Sequence, residues 1–284
     1  MCPRRFRHER GARPGRRQAA HHGHGRNVLP RLAQQSQHRH RALPQHHALQ
    51  AQPGVLTGGF STTKLARNGP FRFNSGVTGS NKFRLGVLGS GKGSNFAAIA
   101  DACAAGQVPA EVALVLSDVA DAGILQQARD RKLPAEFLAP GKFRTKLDEE
   151  AERVCIARLQ AAEVDLVVLA GFMRILKGDF LRAFPQRVVN IHPSLLPAFP
   201  GLEAWRQALD YGVKVTGCTV HFVDQGIDSG AIIAQETVPV LDGDTAESLH
   251  GRIQLAERRL YPAAMAALAR GQVLVRGRQT VRVA

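Results

Sequence analysis

Cysteine is scarce in this chain of 284 residues, and its spacing excludes two kinds of structural cross-link. The four cysteines are Cys2, Cys103, Cys155 and Cys218, and no two of them form a CxxC pair. This spacing argues against a zinc knuckle and against a disulfide framework, so no metal is expected. We therefore take a reducing cytoplasm as the expected location.

Long apolar runs are also absent. The sequence has no run of about 18 apolar residues that could span a membrane, and no apolar core of a secretory signal. A hydrophobic content of 44% is nevertheless enough for a chain of this length to bury a full core. The sequence predicts a globular protein that does not act at a membrane.

Acidic residues are nearly missing from residues 1–82, where Glu9 is the one acid against 15 Lys and Arg. This segment carries +14 of the formal net charge of +15, so residues 83–284 are almost neutral. Eight of the 11 histidines also fall in it. Such a composition buries too little apolar surface to offset its ordering entropy, so we predict a disordered basic tail at residues 1–82.

Other interpretations of the tail stay open. Its Arg-rich composition also suits a transit peptide or a nucleic-acid-binding arm, and its histidines could take up metal adventitiously. No methionine occurs between Met1 and Met173, and Val77 opens a short polar lead into the first predicted strand. We expect the physiological chain to start near Val77, with residues 1–76 adding neither stability nor activity.

From residue 83 onward, short apolar runs alternate with helical segments. Strands are predicted at 83–89, 111–118, 164–171 and 187–192, with a short apolar run at 135–139 and a strand, a loop and a returning strand over 217–235. Helices are predicted at 95–105, 122–132 and about 143–162. Near-continuous Val and Leu runs indicate strands that are covered on both faces. We predict an α/β domain over residues 83–284, with an open, mostly parallel twisted sheet and helices on both faces.

The first predicted strand ends in the glycine-rich stretch GSGKGSN, residues 89–95. It fails as a P-loop because Gly93 replaces the magnesium-binding Ser or Thr, and as a dinucleotide fingerprint because Ser94 replaces the third glycine. The turn still brings the backbone N–H groups of Gly93, Ser94 and Asn95 to a helix N-terminus, which favours a phosphate. The alternative is a tight turn in which Ser94 caps the helix.

The stretch NIHPSLLPAFPG, residues 190–201, follows the strand RVV. Side chains alternate along a strand, so Asn190 and His192 reach the ligand edge of the sheet on one face. An amide donor beside an imidazole suits acyl transfer, because both can stabilise an oxyanion that forms on a carbonyl. The alternative is a structural histidine in a proline turn.

Asp228 lies in the turn GIDSG between the last two predicted strands. A carboxylate there could orient His192 and keep it charged, without being the nucleophile. The sequence contains no G-x-S-x-G elbow, so direct transfer to an incoming amine fits better than an acyl-enzyme.

Residues 83–284 closely resemble the phosphoribosylglycinamide formyltransferases, folate-dependent enzymes of purine biosynthesis. The stretches that carry the resemblance are SGKGSN, VVLAGFMRIL, NIHPSLLPAFPGLEAWRQAL, GCTVHFVDQGIDSG and RIQLAERRLYP. The resemblance implies the formyltransferase fold and transfer of a formyl group from the co-substrate 10-formyltetrahydrofolate to the amine of glycinamide ribonucleotide. Asn190 and His192 would stabilise the tetrahedral oxyanion, and Asp228 would hold His192 charged and help relay the amine proton.

The same resemblance implies binding roles at other matching positions. The ribotide would be bound by Gly93, Ser94, Asn95, Gln254 and Glu257. The folate would be bound by Arg144, Met173, Arg174, Ile175, Leu176 and Asn190, with the two arginines near its carboxylates. Arg144 could instead be a solvated helix charge, and Glu257 an exposed neighbour of Arg258. Lys92 and Glu203 depart from residues common among the relatives.

Three alternatives compete with this interpretation. Methionyl-tRNA formyltransferases share HPSLLP but usually follow it with Arg-Gly and carry a C-terminal barrel. Formyltetrahydrofolate hydrolases usually read His-Ser-Phe at this position and add an N-terminal regulatory domain. A nucleic-acid-binding protein acting through the basic tail would lose affinity steeply with salt. The enzyme interpretation expects small-molecule substrates, no nucleic acid, no membrane, and a monomer or homodimer.

Overall fold

A computed structural model describes residues 82–283 and the backbone of a two-residue strand, β1 (Phe71–Arg72). The predicted tail therefore lies almost entirely outside the described residues, and its disorder stays a prediction. β1 falls within the range assigned to the tail and precedes Val77. Its backbone pairs antiparallel with Leu274 and Val275.

Seven strands form the larger sheet, in the order β4-β3-β2-β5-β6-β7-β8. Their bounds are β2 (Phe83–Leu88), β3 (Ala110–Ser117), β4 (Ala135–Phe137), β5 (Leu166–Leu169), β6 (Val188–His192), β7 (Val215–Phe222) and β8 (Ile232–Pro239). The first five strands in this order run parallel, while β7 and β8 are antiparallel to their neighbours. The predicted open, mostly parallel α/β sheet is confirmed.

Helices cover both faces of this sheet. They are α1 (Ser94–Ala104), α2 (Gly123–Asp130), α3 (Glu149–Ala161), α4 (Gly178–Ala183), α5 (Ala204–Tyr211) and α6 (Ala246–Ala269). Leu85 and Val87 pack in one buried cluster with α1, α2 and α6. Leu88 packs in a second cluster with α3 and α4. The strand alternation therefore supplies a separate apolar core to each helix layer.

A small antiparallel sheet, which sequence analysis does not predict, combines β1 with two strands that follow α6. It consists of β1, β9 (Val273–Arg276) and β10 (Gln279–Arg282), with β9 in the middle. The hydroxyl of Thr280 donates to the carbonyl of Ile232 at 2.6 Å. This hydrogen bond links the small sheet to the start of β8.

The predicted helix at about 143–162 is wrong at its N-terminal end. α3 begins at Glu149, where the Asp148 carboxylate caps it by accepting the Ala151 N–H at 2.9 Å. The preceding residues form a loop, because the carbonyl of Thr145 accepts the N–H of Ile175 at 2.9 Å. Contacts to this neighbouring segment outweigh the local helical pattern, and Arg144 is an exposed loop residue rather than a helix charge.

Tyr261 anchors the long helix α6 to the centre of the sheet. Its side chain is fully buried. Its hydroxyl donates toward the carbonyl of Leu169 at 3.0 Å and that of Val189 at 3.2 Å. Burial raises the pKa of this phenol well above its usual value, so the group stays a neutral donor. One hydroxyl thus connects α6 to β5 and β6.

Replacing Tyr261 with Phe should destabilise the protein without changing its fold. The loss of a buried hydrogen bond costs about 1–2 kcal/mol, which corresponds to a melting temperature lower by roughly 2–8 °C. Thermal denaturation followed by circular dichroism measures the shift. The matched control is Tyr211→Phe, whose residue is 80% exposed and should leave the melting temperature unchanged. Equal melting curves for the two variants would contradict the anchoring role.

Candidate active site

The strand order places a crevice at the carboxyl ends of β2 and β5. From β2 the chain moves outward through β3 and β4, then returns to β5 on the other side of β2 and continues to β6. In open α/β sheets, such a reversal is where ligands bind. The loops after β2, β5 and β6 all end at this edge.

His192 lies at the end of β6 with both ring nitrogens facing acceptors. Its Nδ1 is 3.3 Å from Oδ2 of Asp228, and its Nε2 donates to the carbonyl of Phe199 at 2.9 Å. The imidazole is 5% exposed and the carboxylate 15% exposed, so their interaction is poorly screened by water. Each ring nitrogen thus has a carboxylate or carbonyl oxygen within 3.3 Å.

Asp228 also holds the proline loop that follows β6. Its Oδ2 accepts the N–H of Gly201 at 2.8 Å. Asp228 is a non-glycine residue in the left-handed region, with φ of 49°. Its turn is fixed by Asp224, whose Oδ1 accepts the N–H of Gly226 at 3.0 Å and the hydroxyl of Ser229 at 2.6 Å. The carboxylate is therefore tied both to the imidazole and to the loop beside it.

His221 is a site residue that sequence analysis does not identify. It lies on β7 opposite Asn190. Burial lowers the pKa of this imidazole, so the neutral form predominates at neutral pH. Its Nδ1 donates to the carbonyl of Phe222 at 2.8 Å, which leaves Nε2 as the acceptor for the Asn190 amide at 3.3 Å. His221 thereby orients Asn190, whose amide retains a second N–H.

A buried threonine on β7 anchors the proline loop that follows β6. The hydroxyl of Thr219 donates to the carbonyl of Ser194 at 2.7 Å and accepts the N–H of Leu196 at 3.1 Å. The amide of Gln235 donates to Thr219 Oγ1 and to the carbonyl of Leu196, both at 2.9 Å. These bonds fix the loop backbone, and with it the Phe199 carbonyl that faces His192.

The N-terminus of α1 is uncapped by any side chain and has no acid in its first turn. Gly93 occupies the cap position with φ of 81°, and a Cβ there would lie 2.8 Å from Cα of Ile124. Ser94 is the first helical residue, so the alternative in which Ser94 caps the helix is wrong. The terminus offers backbone N–H groups and a positive dipole end to an anion.

Asn95 and Glu257 connect α1 to α6 beside this helix terminus. The amide of Asn95 donates to Oε2 of Glu257 at 2.9 Å, while Oδ1 of Asn95 is buried without a hydrogen-bond partner. Glu257 is 6% exposed, so the alternative of an exposed neighbour of Arg258 is wrong. Gln254 lies three residues earlier on α6, on the same helix face. The uncapped helix N-terminus favours a phosphate, and the unpaired buried acceptor favours a ligand that also carries a hydrogen-bond donor.

The sequence profile that matches this chain is that of the formyl transferases, over residues 83–265. The chain belongs to the formyl transferase family. It is 50% identical over 200 residues to phosphoribosylglycinamide formyltransferase of Mycobacterium tuberculosis, a match that covers 69% of this chain and 89% of that protein.

Two further relatives extend this comparison. Trifunctional purine biosynthetic protein adenosine-3 of Drosophila melanogaster is 45% identical over 194 residues, and the match covers 68% of this chain but only 14% of that protein. Glycinamide ribonucleotide transformylase 1 from Symbiobacterium toebii has a crystal structure that is 49% identical and superposes with a TM-score of 0.69, covering 73% of this chain and 100% of that one.

In this formyl transferase, the loop after β5 contains the residues expected at the folate. Met173 is 64% exposed and Ile175 46% exposed, whereas Leu176 is buried. The N–H of Met173 already donates to the hydroxyl of Ser90 at 2.9 Å, and that of Ile175 to Thr145. These bonds fix the shape of the loop, in which the side chains of Met173 and Ile175 are exposed.

Arg174 pairs within the protein. Its Nε donates to Oδ2 of Asp118 at 2.6 Å, and its Nη1 donates to the carbonyls of Phe143 at 2.5 Å and Lys146 at 3.3 Å. Asp118 also accepts the hydroxyl of Ser90 at 2.5 Å. The structure therefore uses this arginine to join the ends of β3 and β5 to the loop before α3, while Arg144 stays exposed.

Two kinds of feature are absent from residues 82–283. No group of three or more potential metal ligands occurs in this part of the chain. None of its helices combines the length and the apolarity needed to cross a membrane.

Replacing Glu257 with Gln should make the protein more stable at neutral and alkaline pH. Burial raises the pKa of Glu257 above its ordinary value of 4.5. Below that value the carboxyl is protonated in both the folded and the unfolded protein. As the pH rises through the raised pKa of the folded state, the buried carboxyl ionises and the folded state loses stability. We expect the Glu257→Gln protein to melt above the wild type near pH 8, with the difference disappearing toward pH 4.

Melting curves across this pH range test the sign, with exposed Glu150→Gln as the matched control. The amide of a glutamine can still accept from Asn95, so a loss of the link between α1 and α6 does not confound the result. A variant that melts below the wild type near pH 8 would contradict the account of a buried, strained carboxylate.

Proposed function

We propose that this protein transfers a formyl group from 10-formyltetrahydrofolate to the amine of glycinamide ribonucleotide, as an enzyme of purine biosynthesis. The proposal rests mainly on one observation. The buried pair of His192 and Asp228 lies beside the amide of Asn190, which His221 orients, at the crevice of the sheet. The family and the names of its relatives support the same reaction.

The chemistry follows from the hydrogen-bond donors. The substrate amine attacks the formyl carbon, a C–N bond forms, and the carbonyl oxygen becomes an oxyanion. The free N–H of Asn190 and the Nε2–H of His192 stabilise this charge. His192 now donates to the neutral carbonyl of Phe199, and an oxyanion is the stronger acceptor.

Collapse of the intermediate breaks the bond between the formyl carbon and N10 of the folate. The amine must lose a proton and N10 must gain one. Asp228 holds His192 in its charged form and accepts and returns the migrating proton, so no other base is required. No covalent enzyme intermediate forms in this scheme.

We place the two substrates on opposite sides of the catalytic residues. The ribotide phosphate binds at the N–H groups of Gly93, Ser94 and Asn95, and the rest of the ribotide reaches Gln254 and Glu257. The folate ring lies against Met173, Ile175 and Leu176 beside Asn190. Arg144 meets the folate carboxylates, and Arg174 acts chiefly through the loop that carries Arg144, because its guanidinium is already paired with Asp118.

Location and assembly belong to the same proposal. A cytoplasmic enzyme that acts as a monomer or homodimer on small molecules, without nucleic acid, agrees with the nearly neutral composition of residues 83–284.

The deciding assay mixes the full-length protein with glycinamide ribonucleotide and a 10-formyl folate and follows the absorbance of the deformylated folate. We expect deformylated folate to form only when the ribotide is present. Formylated ribotide should form in an equal amount. Folate product without ribotide, together with free formate, would instead identify a hydrolase. Salt-sensitive binding of nucleic acid without transfer would favour the tail-driven alternative.

Replacing Asp228 with Asn should abolish most turnover while the fold persists. A neutral amide cannot hold the charged imidazole of His192 or accept its proton, so we expect kcat to fall on the order of 10²-fold or more. The amide oxygen can still accept from Gly201, which protects the loop. The control is Asp242→Asn, whose side chain is 100% exposed. Near-normal kcat in the Asp228→Asn protein, measured in the same assay, would disprove the proposed charge relation.

A further inference from the structure

A tryptophan and a histidine stack between α5 and α6, outside the catalytic set. The rings of Trp205 and His250 lie 3.7 Å apart between centroids and 1° from parallel. Both residues are partly buried. Trp205 is the single tryptophan of the chain. The stack confines the imidazole plane, because rotation about either side chain would break the contact.

The confined imidazole touches a residue of the proposed ribotide site. Nε2 of His250 lies 3.2 Å from the amide nitrogen Nε2 of Gln254, one helical turn further along α6. An amide NH₂ group only donates, so the imidazole nitrogen must be the acceptor and must carry no proton. Burial lowers the pKa of His250, which favours this neutral form.

This bond determines which end of the Gln254 amide is offered to a ligand. With its NH₂ group held by His250, the carboxamide oxygen is the end left for a donor. Ribose hydroxyl groups are such donors. A protonated His250 would present an N–H at the same nitrogen, which repels the NH₂ group and attracts the oxygen, so the amide would turn over.

The charges near the stack compensate one another in pairs. On the elements that pack around it, these charged pairs are Arg206 with Glu203, Arg252 with Asp244, Arg259 with Glu236, and Asp101 with Arg131. The other charged or titratable groups are Glu247, Glu257, Arg258 and Tyr261 on α6, Asp210 and Tyr211 on α5, Cys103 on α1, and Cys218 and His221 on β7. Burial, rather than any of these charges, lowers the pKa of His250.

We propose that His250, clamped by Trp205, is a positioning residue that orients the Gln254 amide so that its oxygen accepts from a ribose hydroxyl of the ribotide. Protonation of His250 reverses the amide and weakens ribotide binding. This inference rests on the proposed function and adds a residue pair and a pH response to the ribotide side of the site.

Two replacements of His250 separate its roles. His250→Phe keeps an aromatic ring on Trp205 but removes the acceptor. We expect the KM for the ribotide to rise about 2- to 10-fold at pH 7.5, the size of one net hydrogen bond, while the KM for the folate holds. His250→Gln supplies a carbonyl acceptor that does not titrate. It should restore the ribotide KM at pH 7.5.

The pH profile provides the readout that a purely structural role would not change. In the wild type, the ribotide KM should rise as the pH falls below the usual histidine value of about 6.5, while in the His250→Gln protein it should show no such component. Trp205 fluorescence, read on the full-length protein, should fall over the same pH range only in the wild type, because a protonated imidazole quenches the stacked indole.

The outcomes are distinguishable. Leu255→Gln on the exposed face of α6 is the control and should behave as the wild type does. An active wild type whose ribotide KM is unchanged by His250→Phe would overturn the positioning role alone. A ribotide KM in His250→Gln that follows the wild-type pH profile would do the same. A wild type that forms no formylated ribotide would overturn the proposed function itself.

Discussion

The antiparallel pairing of β6 with β7 is the interaction on which the candidate site depends. It puts His221 opposite Asn190 and Thr219 opposite His192. Each residue of β6 that faces the crevice therefore has a neighbour that either orients it or anchors its loop. Because β7 is antiparallel to β6, it runs away from the carboxyl edge, and the turn before β8 folds back to bring Asp228 within 3.3 Å of His192.

Buried charges at this edge are compensated in different ways. Asp118 has both an arginine and a hydroxyl, so its pair with Arg174 is fully hydrogen-bonded and joins three loops. Asp228 has one backbone N–H and two nearby imidazoles, those of His192 at 3.3 Å and His221 at 3.7 Å. Glu257 has one amide and no cation within hydrogen-bonding contact among the described residues. The way in which each carboxylate is compensated matches its proposed role. A carboxylate that supports loops needs all its hydrogen bonds formed, whereas one that transfers a proton or binds a ligand needs lone pairs that are still available.

The sheet could be predicted, and the residues proposed as catalytic could be singled out, because both depend on local pattern. Val and Leu runs mark buried strands wherever they occur, and the prolines after His192 mark the end of β6. His221 could not be found this way, since its role depends on the register of two strands. The predicted start of α3 was wrong for a related reason. The carbonyl of Thr145 accepts the N–H of Ile175, 30 residues further along the chain, and the periodicity of a local sequence does not reveal such a contact. The pairing of Arg174 with Asp118 likewise requires the sheet order.

Three of the six non-glycine residues with positive φ in residues 82–283 lie beside the candidate site. Phe199, Glu203 and Asp228 all adopt the left-handed region, where side chains other than glycine cost of order 1 kcal/mol or more. Oδ1 of Asn95 lacks a partner in the described structure. The neighbouring bonds explain how these conformations persist: the left-handed Phe199 directs its carbonyl at His192, and the left-handed Asp228 directs its carboxylate at both His192 and Gly201. Relaxing either residue would break a contact to the imidazole, so the left-handed conformations and the position of His192 depend on each other.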